Sequence, residues 1–279
     1  MRNRFWLLAL VFSAAFWFSL APAWAVYSSV NGYVTTDTGY TTSAAIAIED
    51  YVGTINGASG VYVGNGWVLS VAHLGVSAGD TYTLDGVTYT VASVVSIGTG
   101  TDLVMFSLVS TTTAQATLLS TLGSLTIATS APTVNSKVAL VGYGDSDGYG
   151  GTTTLTTGTS WVYAVNESVQ LSPYTTTDFE ARGNNTYVTG GDSGGGAFVK
   201  VGNSWVLTGV LEAQLSSNGT PVGSAAIELS AYATEIASVM AVTPVPEPGV
   251  GLLWGMGCVG LLPLIGSRLA RGRRLVVIR

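Results

Sequence analysis

His73, Asp102 and Ser193 are the residues of this 279-residue chain whose types and settings could together do covalent chemistry. A serine at its free pKa is a weak nucleophile, an imidazole can accept its proton, and a carboxylate can hold the ring's other N–H. Such a trio attacks an acyl carbon and passes through an acyl intermediate. The chain has one histidine, so His73 is the only imidazole base it can offer. That single histidine, with a single cysteine at Cys258, also excludes multi-histidine and cysteine-ligated zinc sites and any intramolecular disulfide. Nothing in the proposed chemistry asks for a metal or a cofactor.

Each of the three has a distinct setting. Residues 66–73 read Gly-Trp-Val-Leu-Ser-Val-Ala-His, an apolar strand that delivers a histidine at its end. Asp102 stands directly before the apolar run Leu103 to Leu108, where a partly buried carboxylate must find a donor, and an imidazole N–H is one. Asp80 and Asp85 are its rivals, but both sit in turn settings. Ser193 lies in Gly-Gly-Asp-Ser-Gly-Gly-Gly, residues 190–196, where glycines permit unusual backbone angles and can gather amide N–H groups. The N–H groups of Gly191 and Ser193 are the expected oxyanion donors, each worth about 3 to 4 kcal/mol of transition-state stabilisation.

The elements that must position these residues read as strands. Short runs of Val, Thr, Tyr and Ile recur between Gly, Asn, Asp and Ser: 60–63, 67–71, 81–84, 87–91 and 103–108, then 136–142, 152–156, 160–165, 197–201 and 205–214. Asp85-Gly86 between two alternating runs predicts a two-residue hairpin. One helix is predicted, after a strand that ends near Glu228, with Leu229, Ala233, Ile236 and Met240 on one face. Residues 110–130, rich in Thr, Ala and Ser, read as a connector between two halves. The class is all-β with a short C-terminal helix.

In the order His, Asp, Ser, these segments resemble the chymotrypsin-like (trypsin family) serine endopeptidases over roughly residues 45 to 240. Gly-Asp-Ser-Gly-Gly is the specific match; Val71-Ala72-His73 replaces the family's Ala-Ala-His, and Asp102 matches its Asp-Ile-Ala-Leu strand loosely. Val138 to Gly144 resembles the Gly-Trp-Gly strand, and Trp205 to Val210 the strand after the serine. The resemblance implies two six-stranded Greek-key β-barrels, about 26–118 and 130–242, with the site in the cleft between them and a protein or peptide as substrate. It implies too that Asp192 pairs with a new N-terminal amine, for which Val26 and Val30-Asn31-Gly32 are candidates. No basic residue precedes Ser29-Val30, which favours a different partner, a basic side chain such as Arg182 or backbone amides.

The pocket that would set specificity departs from the family. Tyr187 stands six residues before the serine, where trypsin-like enzymes carry Asp, and Glu212-Ala213-Gln214 replaces Ser-Trp-Gly. Glu212 or Glu180 could supply a pocket charge from another position. These departures suit a second class as well, a surface or matrix binding protein on a protease fold that has lost activity.

The ends address the chain. Arg2 and Arg4, an apolar stretch from Phe5 to Leu20 and Ala23-Trp24-Ala25 form a signal peptide, residues 1–25, cleaved by signal peptidase before Val26. Residues 249–266 carry no charge and precede five arginines, a span long enough to cross a bilayer with the body outside. With Pro246-Glu247-Pro248 in front, residues 244–279 resemble the PEP-CTERM sorting signal of Gram-negative bacteria. That resemblance implies a transient inner-membrane anchor, removal by an exosortase, and release to the cell surface or extracellular matrix. Between residues 26 and 246 only Lys137, Arg182 and Lys200 are basic, and the formal charge is −12, which excludes nucleic acid as a natural partner.

Overall fold

The computed structural model describes residues 27–28, 41–43, 46–144, 155–183 and 186–242. Three short strands come first: β1 (Tyr27–Ser28), β2 (Thr41–Ser43) and β3 (Ile46–Ala47). β4 (Val52–Ile55), β5 (Ala58–Gly64), β6 (Trp67–Val71), β7 (Thr81–Leu84), β8 (Val87–Ser96) and β9 (Leu103–Val109) then close into a barrel in the order β4-β5-β6-β9-β8-β7. The Asp85-Gly86 turn joins β7 to β8, with Leu84 opposite Val87. Tyr82, Leu84, Tyr89 and Val91 alternate inward, as period-two patterning requires.

Helix α1 (Thr113–Leu122) links the halves. It occupies the stretch that reads as a connector between the halves, where no helix was expected, and its start is a capping box: Gln115 N donates to Thr112 Oγ1 at 3.2 Å, and Thr112 N donates to Gln115 Oε1 at 2.9 Å. Its buried Leu119 and Leu122 lie on the first barrel, where Tyr62 Oη donates to the Leu119 carbonyl and Tyr51 Oη to the Leu122 carbonyl.

The second barrel is built from β10 (Lys137–Gly142), β11 (Thr156–Leu171), β12 (Tyr174–Arg182), β14 (Gly196–Val201), β15 (Ser204–Ser217) and β16 (Thr220–Glu228), in the order β10-β11-β12-β16-β15-β14. Both barrels thus repeat one Greek-key order. β13 (Thr186–Tyr187) lies outside this barrel and pairs with β1, Tyr27 opposite Tyr187. β11 is a single strand with two register shifts against β12 that takes in the predicted run 160–165, while residues 152–154 of the predicted run 152–156 lie outside the described residues. The chain after Glu228 makes a 3-10 turn (Leu229–Tyr232) and then α2 (Ala233–Met240), which returns to the first barrel: Trp67 Nε1 donates to the Val242 carbonyl at 3.1 Å.

β5 and β6 are buried along their whole length. Strands alternate faces, so a strand with no exposed residue must be covered on both sides, and one apolar cluster does run from Val61, Leu69 and Phe106 into Val141, Phe198, Leu207 and Val210 of the second barrel. This double coverage fixes the end of β6, from which His73 emerges. Among the described residues no helix is long and apolar enough to cross a membrane. The signal peptide, Val26, Val30 and the sorting segment with its span at 249–266 and Cys258 lie outside the described residues.

Candidate active site

His73 sits in a short 3-10 turn (Ala72–Leu74) that leaves β6, and Asp102 lies just before β9, the strand paired with β6. Neighbouring strand ends therefore present the imidazole and the carboxylate to each other. Asp102 is fully buried and grips His73 twice: the His73 N–H donates to Oδ1 at 2.7 Å, and the ring's Nδ1 meets Oδ2 at 2.5 Å. The Ala72 N–H also donates to the Asp102 carbonyl at 3.0 Å. With Nδ1–H directed at Asp102, the neutral ring keeps its lone pair on Nε2, the form a general base needs. Asp80 is elsewhere, accepting from the Ser77 N–H at 2.8 Å, and Asp85 stays exposed in its hairpin turn.

Ser193 is 9% exposed, and its hydroxyl donates to the Glu212 carbonyl at 3.5 Å. Its loop is shaped by a turn over residues 189–192, closed by the Asp192 N–H donating to the Thr189 carbonyl at 3.1 Å. Gly191 takes φ 92° at the third position of that turn, the type II geometry that glycine favours, which fixes the direction of the Gly190–Gly191 peptide and its N–H. Asp192, fully buried, accepts at 2.9 Å from each of two backbone amides, Gly144 and Thr189. Arg182 is placed away from it, with Nη2 2.6 Å from Glu180 and the guanidinium 4.1 Å from the centre of the Tyr163 ring.

The first barrel holds this loop through two serines that sequence reasoning missed. Ser59 N–H donates to the Ser193 carbonyl at 2.9 Å, and Ser59 Oγ donates to the Gly191 carbonyl at 2.7 Å while accepting from the Tyr143 N–H at 2.9 Å. Ser70 Oγ donates to the Ser59 carbonyl at 2.9 Å. The approach is so close that a Cβ at Gly194, whose φ is 86°, would run into the Ser59 carbonyl oxygen and Ser70 Oγ. Ser70 lies three residues before His73 in the same apolar run, and a polar residue inside an otherwise apolar strand was the signal available for it.

Around the expected pocket, Tyr187 is in β13, and Gln214 faces Ser224 across β15 and β16. These two clasp one residue: Gln214 Nε2 donates to the Val188 carbonyl, and the Val188 N–H donates to Ser224 Oγ, both at 2.9 Å. Glu180 is paired with Arg182. Glu212 is buried, and its carboxyl lies beside Thr176 and Asp178 on the face of the second barrel turned toward the first, with Thr176 Oγ1 donating to Oε1 at 2.9 Å. Burial, then the neighbouring Asp178, pushes the Glu212 carboxyl far up from its ordinary range; Asp178 is raised as well, again chiefly by burial, and the charge of Asp102 adds to both.

A protein-family model described as Trypsin matches residues 30–236. Among solved structures, "Crystal structure of Rv3671c protease, inactive form" is similar in fold, with a TM-score of 0.51 and 17% identity over 74% of this chain and 96% of that one. No curated protein sequence matches. With two closed Greek-key barrels and a family match over most of its length, the chain belongs to the trypsin family of serine proteases.

Proposed function

We propose that the protein is an exported serine endopeptidase in which Ser193 is the nucleophile, His73 the general base and acid, and Asp102 the group that orients the ring. The observation that carries this reading is the buried Asp102 carboxylate with both oxygens on His73. His73 Nε2 takes the Ser193 proton as Oγ bonds to the substrate carbonyl carbon. The Gly191 and Ser193 N–H groups receive the charge that develops on the carbonyl oxygen. When the C–N bond breaks, the imidazolium returns the proton to the leaving amine. Water, deprotonated by the same nitrogen, then attacks the acyl group and frees the serine.

Asp192 acts as a brace for the oxyanion loop, its carboxylate tied to amides of two loops. The ends of the chain complete the reading: signal peptidase releases the leader, residues 249–266 hold the chain transiently in the inner membrane, and an exosortase frees it at the surface or into the matrix. Incubated with a mixture of unmodified peptides, the full chain generates new peptide termini and Ser193→Ala does not. Equal cleavage by both, or cleavage by neither, rejects the endopeptidase reading.

A further inference from the structure

We propose that Asp178 and Glu212 share a buried proton beside Asp102, and that this acid pair is a positioning unit for the Asp102–His73 hydrogen bonds. Asp178 lies on β12 and Glu212 on β15, with β16 between them; Asp178 is opposite Ile227, which is opposite Val210. Both carboxyls are closed off from solvent. Neither Asp178 oxygen, nor Oε2 of Glu212, receives a hydrogen bond from an ordinary donor group. The two carboxyls are close neighbours. A carboxylate is an acceptor only, so two carboxyls can hydrogen-bond only when one is protonated.

The surroundings leave no other way to balance the pair. Asp102 and Glu228 are the further charged groups that face it, and both are acids. Glu228 is already occupied, accepting from the Asn166 N–H at 3.1 Å and Ser230 Oγ at 2.7 Å. Among the described cations, Arg182 is paired with Glu180, next along the same face of β12, Lys137 and Lys200 are exposed, and His73 is engaged by Asp102. Two unpaired charges buried between the barrels cost far more than retaining one proton.

Glu212 touches the reaction centre from two sides. Its carbonyl accepts from the Ser193 hydroxyl, and its carboxyl lies within the field of Asp102. While the pair keeps its proton, less negative charge stands beside Asp102. Full ionisation would crowd negative charge there, strengthen the hold on the imidazolium proton and slow its delivery to the leaving amine.

His73 is the only histidine, so in the full chain its Nδ1 proton resonance needs no assignment by mutation. That resonance is expected to move in a step as rising pH strips the pair of its proton. Glu212→Gln, which keeps polar contacts for Thr176 and Asp178 but has no carboxyl proton to share, is expected to lose the step. Superimposable curves for wild type and Glu212→Gln overturn the proposal. Infrared spectroscopy of the wild-type chain alone supplies a second measurement that does not depend on the variant folding. A protonated-carboxyl C=O band at neutral pH, shifted in D2O, is expected, and its absence overturns the proposal. The functional consequence rests on the peptidase reading, which fails separately: an unreactive Ser193 sinks that reading and leaves the band in place.

Discussion

The Ser59 N–H donates to the carbonyl of Ser193 at 2.9 Å, so the first barrel holds the backbone of the proposed nucleophile in the second. The same serine's hydroxyl bridges the Gly191 carbonyl and the Tyr143 N–H. Ser59→Ala strips the partner from both and costs about 1–3 kcal/mol, read as a roughly 5- to 150-fold fall in kcat/KM. Gly194→Ala is more severe, because a Cβ there meets backbone and demands a left-handed conformation. A kinetic comparison of both variants that found wild-type rates would refute the bracing role of this contact.

Asp102→Asn should leave the fold intact and remove most activity. An asparagine can point its NH2 at Nδ1, favouring the tautomer whose proton sits on Nε2, and the ring can then no longer accept from Ser193. The expected loss in kcat is roughly 10⁴-fold, with KM little changed. A loss of less than tenfold, measured on a correctly folded variant, would remove Asp102 from the mechanism.

Stability should fall as pH rises. Burial raises Asp178 to about 6 and Glu212 to about 10, whereas unfolded carboxyls titrate near 4. Between those limits the folded chain binds more protons than the unfolded one, so the stabilisation is complete below about 4 and is lost as pH climbs through the folded values. The melting temperature of the wild type should therefore decline from pH 5 to pH 9, and Glu212→Gln should flatten the decline. A wild-type melting temperature that rises over this range contradicts the assignment.

Gln214 and Ser224 clasp the Val188 backbone from both sides, and this places a long side chain across the wall beside the nucleophile loop. Substrates with small side chains before the scissile bond should be preferred. Gln214→Gly should admit larger ones, shifting relative kcat/KM by about tenfold, the scale of a methylene or two in an apolar pocket. Profiling of both proteins on one peptide library gives the answer, and an unchanged preference counts against Gln214 as a specificity residue.

Much of this was legible because local chemistry marks it. Trp67–Val71 reads directly as a strand from its apolar run, and Thr81–Leu84 from alternation before the Asp85-Gly86 turn, and both form with those bounds. The helix after Glu228 follows from its apolar spacing. α1 was hidden because Ser, Thr and Ala suit loops and helices alike, and only the Thr112–Gln115 cap distinguished them. β12 was missed since, beside Phe179 and Ala181 on its inward face, its other face buries Thr176 and Asp178 in place of hydrophobic residues. Ser59 could not be read at all: its partners lie 84 and 132 residues away, and the contact exists only once two barrels meet. The acid pair is hidden for the same reason, since Thr176 and Glu212, 36 residues apart, come together only in the closed barrel.

The central claim, that Ser193 is an activated nucleophile served by His73, is tested most directly by a fluorophosphonate probe, which bonds only to such a serine. The wild-type chain should label on Ser193, while Ser193→Ala and His73→Ala should not. Absence of labelling in the wild type, or equal labelling of all three, would contradict it.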